Sequence, residues 1–198
     1  MNTLQQSEQI SLQRRAILGE TQFLAQIAEQ SQFAATLQTH FRTRNIGARR
    51  MEQYKQQATA SLHKLRLRFN RATTGNGWLR KPNLTPIFVP SLEGTLNNYD
   101  RHKTLHFHIV IGNLSARYDT ELLHSTLRDA WLRTDVGVDD IVVTELDSTR
   151  RAGWTDYIGK ERERGNKDCI DYYNAQLPPY LCTTAQQFSA NSTGQVQL

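Results

Sequence analysis

Two cysteines in 198 residues, Cys169 and Cys182, are too few for a disulfide framework, and their spacing matches no zinc-ligand pattern. A reduced, cytoplasmic setting is therefore expected. No run approaches the ~20 apolar residues that span a bilayer, so no membrane partner is expected. The opening MNTLQQSEQISLQRR lacks the apolar centre of a signal peptide. The phosphate-loop pattern Gly-x-x-x-x-Gly-Lys-Ser/Thr is missing as well, so any ATP-driven work must come from another protein.

What remains is an ordinary globular composition, 38% hydrophobic and 22% charged, with a net charge of +5. The length suffices for one domain with a core plus extensions. The basic balance suits a nucleic acid or another anionic partner.

Residues 3–31 are rich in Gln and Glu and carry Ile10, Ile17, Leu18, Leu24 and Ile27 at helical spacing. They read as an accessory helix on the main domain. Phe33 to Phe41 alternates and predicts a strand. A basic loop with Arg42, Arg44, Arg49 and Arg50 follows. Met51, Tyr54, Ala58, Leu62, Leu65 and Phe69 recur every three or four residues and predict one face of a long helix. Its other positions include Lys55, Lys64, Arg66, Arg68 and Arg71, a face suited to solvent or to phosphates. Gly75-Asn76-Gly77 breaks the helix.

Pro86–Glu93 predicts a second strand, Asn97–Asp100 a turn, and Leu105–Gly112 the clearest strand of the chain. A helix over 119–134 has Leu123, Leu127, Ala130 and Trp131 on one side, with Asp119 the best N-cap. Asp140–Leu146 predicts a fourth strand, and Gly153 to about Gly165 a last helix. The order β-α-β-β-α-β defines an α+β protein with a ferredoxin-like, RRM-like split βαβ antiparallel sheet. To it are added the N-terminal helix and the tyrosine-bearing helix. The division is 1–31 as a helical extension, 32–177 as the main domain, and 178–198 as a polar tail expected to lack order.

Alternation on the third strand sends Leu105, Phe107, Ile109 and Ile111 to one face and His106 and His108 to the other. Two imidazoles at i and i+2 on a rigid strand make a bidentate metal platform. With a carboxylate beside them, the set suits Mn2+ or Mg2+ acting on phosphodiesters. An H-x-H pair can equally be structural, bonded to backbone. His102 lies in the preceding loop and could add a ligand. His40, His63 and His124 read as structural or surface residues.

On the last predicted helix, Tyr157 and Lys160 stand at i and i+3 and share a face, while Trp154 and Ile158 can anchor another stripe in the core. A tyrosine that attacks phosphorus forms a phosphotyrosyl ester and conserves the energy of the broken bond. Lys160 can stabilise phenolate and phosphate charge. The bland alternative is a packed tyrosine beside a solvated lysine.

The order of these signals carries a resemblance. From about Phe33 to Lys167 the chain resembles the HUH endonuclease family of rolling-circle replication initiators, relaxases and single-tyrosine transposases. The early strand Ala35-Thr36-Leu37-Gln38-Thr39 matches the first family motif loosely. His106-Phe107-His108 matches the second, and Tyr157-Ile158-Gly159-Lys160 the third. The resemblance implies metal-dependent nicking and rejoining of single-stranded DNA, an origin hairpin or element end, through a 5′-phosphotyrosine intermediate. It implies Tyr157 and Lys160 as catalytic residues, and initiation of rolling-circle replication of a plasmid or phage-like element. A host helicase and polymerase would complete such a system.

The family often supplies a carboxylate ligand a few residues before the histidines. Here Glu93 lies 13 residues before His106, which requires a longer hairpin. Asp100 and Glu161 are the other candidates. Glu93 is preferred because a strand position faces its neighbour with little freedom. Tyr172 and Tyr173 fall outside the motif and read as packing or base-stacking residues. Transposition or mobilisation is the nearest rival within the same chemistry. A non-catalytic RRM-like nucleic-acid-binding module is the rival from another class, although the histidine strand lacks the aromatic signature of such modules.

Overall fold

The alternation that begins at Phe33 forms strand β1 (Ser31–Arg42) in a computed structural model of the chain. The structure describes residues 22–95, 104–151, 153–154, 166 and 169–181. Residues 22–30 are a helix, α1, running directly into β1. After β1 come α2 (Ala48–Thr74), α3 (Gly77–Arg80), a 3-10 turn (Pro82–Leu84), β2 (Ile87–Glu93), β3 (Thr104–Gly112), α4 (Thr120–Trp131) and β4 (Gly137–Glu145).

Local chemistry sets most of these boundaries. The predicted basic loop is divided: Arg42 ends β1, whereas Arg49 and Arg50 lie in the first turn of α2. The α2 stripe buries Met51, Ala58, Leu62, Leu65 and Phe69 as its spacing predicts. The helix stops at Gly75, whose φ of +61° suits a residue without Cβ and whose N–H donates to the Arg71 carbonyl. Helix α4 starts where the Asp119 side chain accepts the Leu122 N–H at 2.8 Å. It ends at Trp131, short of the predicted 134, because Thr134 Oγ1 donates to the Trp131 carbonyl and turns the chain. Strand β4 starts three residues earlier than predicted, since Gly137 already pairs with Thr39.

The four strands form one antiparallel sheet in the order β2-β3-β1-β4. The protein is therefore α+β, with the ferredoxin-like split βαβ arrangement that the element order predicts. Helices α2 and α4 cover one face. There Leu37, Phe88, Phe107, Ile109 and Ile111 of the sheet pack with Leu62, Leu65, Phe69, Leu127 and Trp131. Trp131 is wholly buried, and its indole N–H donates to the Gln38 carbonyl at 2.9 Å, so the largest core ring also satisfies its polar atom.

The other face is covered in part by α1 and by the segment after residue 169. Leu24 and Ile27 pack on Ala34, Ile87, Val89, Val110, Cys169 and Ile170. The same segment pairs along the edge of β2. Leu92 N–H donates to the Cys169 carbonyl at 2.7 Å, Asp171 N–H to the Pro90 carbonyl at 3.0 Å, and Phe88 N–H to the Gln176 carbonyl at 2.9 Å. An otherwise open strand edge is thereby occupied. Pro90, which has no N–H to give a ladder, sits on this outermost strand. Pro178 is buried and Leu181 packs on the second cluster; the rest of the predicted tail, 182–198, lies outside the described residues. Among the described residues, no helix is long and apolar enough to cross a membrane.

Candidate metal centre

The register of β2 against β3 sets Glu93 opposite His106 and Ser91 opposite His108. On the other side of β3, β1 sets Gln38 opposite His106 and Thr36 opposite His108. Directly opposed residues of antiparallel strands project to the same face, so Glu93, His106 and His108 meet on the face away from α2 and α4. Glu93 Oε2 lies 3.3 Å from Nε2 of His106 and 3.3 Å from Nε2 of His108. The two imidazoles stand perpendicular, with centroids 4.8 Å apart. One ligand atom from each of the three residues lies within 4.8 Å of the others.

All three side chains are buried: Glu93 is 0% exposed, His106 1% and His108 2%. Burying a carboxylate costs several kcal/mol unless a positive partner and hydrogen bonds compensate it, so such a cluster points to a function. The imidazoles are oriented from behind. His106 Nδ1 lies 3.1 Å from the Thr104 carbonyl, which can only accept, so that nitrogen carries the hydrogen. His108 Nδ1 lies 2.9 Å from Thr36 Oγ1. Both Nε2 atoms face the carboxylate; on His106 the Nδ1–H leaves Nε2 as the ligand atom, while the Thr36 hydroxyl orients His108 in either hydrogen-bond role.

This donor set fits a cation. Two ligand atoms at about 2.1 Å from one ion stand roughly 3.0–3.5 Å apart, the spacing that Glu93 Oε2 keeps from each imidazole Nε2. Two imidazoles and a carboxylate could hold a metal ion, and mixed nitrogen and oxygen donors are borderline in hardness.

Gly94 completes the frame. Its φ is +87°, and a Cβ there would run into the Thr104 carbonyl oxygen. A residue without a side chain thus lets the end of β2 close on the carbonyl that holds His106.

Of the residues singled out in the sequence, the structure brings together His106, His108 and Glu93. Asp100, His102, Tyr157, Ile158, Lys160 and Glu161 lie outside the described residues. Trp154 is partly buried, as a helix anchor should be, and its ring centroid lies 5.8 Å from that of His108. Tyr172 and Tyr173 are exposed, and Tyr173 tilts against His63 at 5.9 Å.

Sequence reasoning missed Thr36 and the Thr104 carbonyl. Thr36 falls within the loosely matched first motif, and its role needed the β1–β3 register. Charge pairs elsewhere in the protein perturb carboxyls. Hydrogen bonding to Lys64, at 2.6 Å, holds Asp135 below the usual carboxylate range, and Arg128 does the same for Asp139. Comparison of the chain with protein-family models, with curated proteins and with solved structures found no match in any of the three.

Proposed function

We propose that this protein is a metal-dependent nickase-ligase of single-stranded DNA of the HUH type, using Tyr157 as nucleophile. The observation that carries the reading is the buried Glu93–His106–His108 set on adjacent strands of a split βαβ sheet. The chain continues from that sheet to the sequence Tyr157-Ile158-Gly159-Lys160.

Glu93, His106 and His108 would hold the ion, with Mn2+ or Mg2+ the expected metal. When bound, such an ion supplies Lewis-acid polarisation of a phosphate oxygen. The chain's own residues do the rest. Tyr157 Oη attacks phosphorus, the P–O3′ bond breaks, the phenol proton passes to solvent, and the leaving 3′ oxygen takes a proton from solvent. The products are a 5′-phosphotyrosyl ester and a free 3′-hydroxyl, which can attack in reverse to rejoin the strand. Lys160, three residues after Tyr157 in the sequence, stabilises phenolate and phosphate charge. The Thr104 carbonyl keeps His106 in the ligating tautomer, and the Thr36 hydroxyl fixes the ring orientation of His108. Initiation of rolling-circle replication in a cytoplasmic setting is the programme this chemistry suits best. Cleavage at both ends of an element, instead of a single origin, would assign transposition.

The test uses a labelled pool of single-stranded oligonucleotides that includes hairpins, incubated with the protein and Mn2+ or Mg2+ and resolved on a denaturing gel. A metal-dependent protein–DNA adduct is expected, absent with chelator and absent in Tyr157→Phe. No adduct from the wild type with either metal would overturn the reading, and an undiminished adduct in Tyr157→Phe would overturn the nucleophile.

A further inference from the structure

The helical layer carries a second feature, on the side of the sheet away from the triad. A groove of about 470 Å³ runs between α2 and α4, with Arg68 and Arg71 on one wall and Arg133, Thr126 and Asp129 on the other. Ala72 and Ala130 contribute only methyl groups, which leaves the space open. Three guanidiniums face one carboxylate. Among the described residues, none of the three arginines forms a direct ion pair, although Arg68 acts at longer range on Asp135, which Lys64 bridges; Arg128 is committed to Asp139. Arg68 Nη1 is buried without a hydrogen-bond partner. Three guanidiniums lining one open groove with a single carboxylate among them make a receptor for oxyanions.

We infer that the α2–α4 groove is a phosphate track that grips duplex nucleic acid by its backbone. The chemistry of the walls selects this occupant. Among the described residues no aromatic ring lines the groove, so none of them can stack an unpaired base or hold a free nucleotide by its ring there. Guanidiniums alone read phosphates, which position a duplex without specifying its sequence. The groove and the triad lie on opposite faces of the sheet. The groove therefore holds a segment of DNA other than the one at the metal centre. The choice of nucleic acid as ligand rests on the proposed DNA-processing function; the anion-binding character of the groove does not.

The experiment measures binding of a short random-sequence duplex to the full chain by fluorescence anisotropy, without divalent metal, over a series of NaCl concentrations. Each phosphate contact contributes about 0.9 to the slope of log K against log salt. The variant Arg68→Gln/Arg71→Gln/Arg133→Gln should lower that slope by about 2 to 3 and weaken binding roughly tenfold or more at moderate salt. The variant Arg71→Gln/Arg133→Gln leaves half-buried Arg68 in place and guards against misfolding; it should lower the slope by about 2. An unchanged slope and affinity in the arginine variants overturn the proposal. An equal loss of affinity for single strands overturns the duplex assignment, and equally effective competition by polyglutamate overturns nucleic acid as the ligand. Adduct formation on single strands separates the two readings. Its absence in the wild type, with the slope change present, removes the nicking function and leaves the groove. Its presence, with no slope change, removes the groove alone.

Discussion

Replacing Glu93 by Gln should remove most of the stabilisation that a divalent metal gives this fold. Glu93 is the anionic member of the triad, and it is wholly buried, 3.3 Å from both histidine Nε2 atoms. A metal that binds only the folded state stabilises it by RT ln(1 + [M]/Kd), about 2.7 kcal/mol at a concentration of 100 Kd. For a domain of this size each kcal/mol moves Tm by about 2–4 °C, so the wild type should gain roughly 5–11 °C. Loss of a group that merely orients a ligand weakens metal affinity by about 10- to 100-fold. Loss of a ligand's charge should weaken it at least 100-fold, by the same scale. The same metal concentration then stands near Kd and yields about 0.4 kcal/mol, or roughly 1–2 °C. Differential scanning calorimetry of both proteins, with Mn2+ and with chelator, measures the four values. The same Mn2+-induced shift in Glu93→Gln as in the wild type would refute the reasoning. So would a wild type whose Tm ignores both Mn2+ and Mg2+.

Thr36→Val keeps the branched shape of a β1 residue but deletes the hydroxyl 2.9 Å from His108 Nδ1. Mn2+ affinity by titration calorimetry should fall about 10- to 100-fold while circular dichroism stays unchanged. Leu65→Ala, at a fully buried position of α2, should lower unfolding free energy by about 2–5 kcal/mol in urea. Two residues on, exposed Leu67→Ala should change it by no more than about 0.5 kcal/mol. Arg128 hydrogen-bonds Asp139 and holds its carboxyl below the ordinary value. A lowered folded pKa contributes stability that is present above the unfolded value and lost as pH falls through the folded one. Asp139→Asn should therefore reduce the loss of stability below about pH 4, as read from Tm against pH, and the difference should shrink in high salt.

The helix stripe from Met51 to Phe69 and the alternation of Leu105 to Ile111 were readable because backbone geometry imposes their periods of 3.6 and 2 locally. The ends of elements were less readable. Helix α4 stops early because Thr134 bonds the Trp131 carbonyl, and β4 starts early because Gly137 pairs with Thr39. Neither follows from periodicity. The docking of residues 169–176 on the edge of β2 joins parts of the chain some eighty residues apart, with no motif to announce it. Arg68 and Arg71 of the α2–α4 groove were visible as part of a basic face, but their convergence with Arg133 on one open space depends on how the two helices pack.

The histidine strand shows the division most clearly. Sequence alone determined that His106 and His108 share one face of a strand and Phe107 the other, since successive side chains of extended backbone must alternate. It left the carboxylate among Glu93, Asp100 and Glu161. Tertiary structure placed Glu93 beside both imidazoles, set Thr36 behind His108, and buried the whole group. The physical reason is register. Which residue of β2 faces His106 depends on the summed packing of every cross-strand pair and on the closure of the intervening chain, and a slip of one residue would have turned Glu93 to the opposite face.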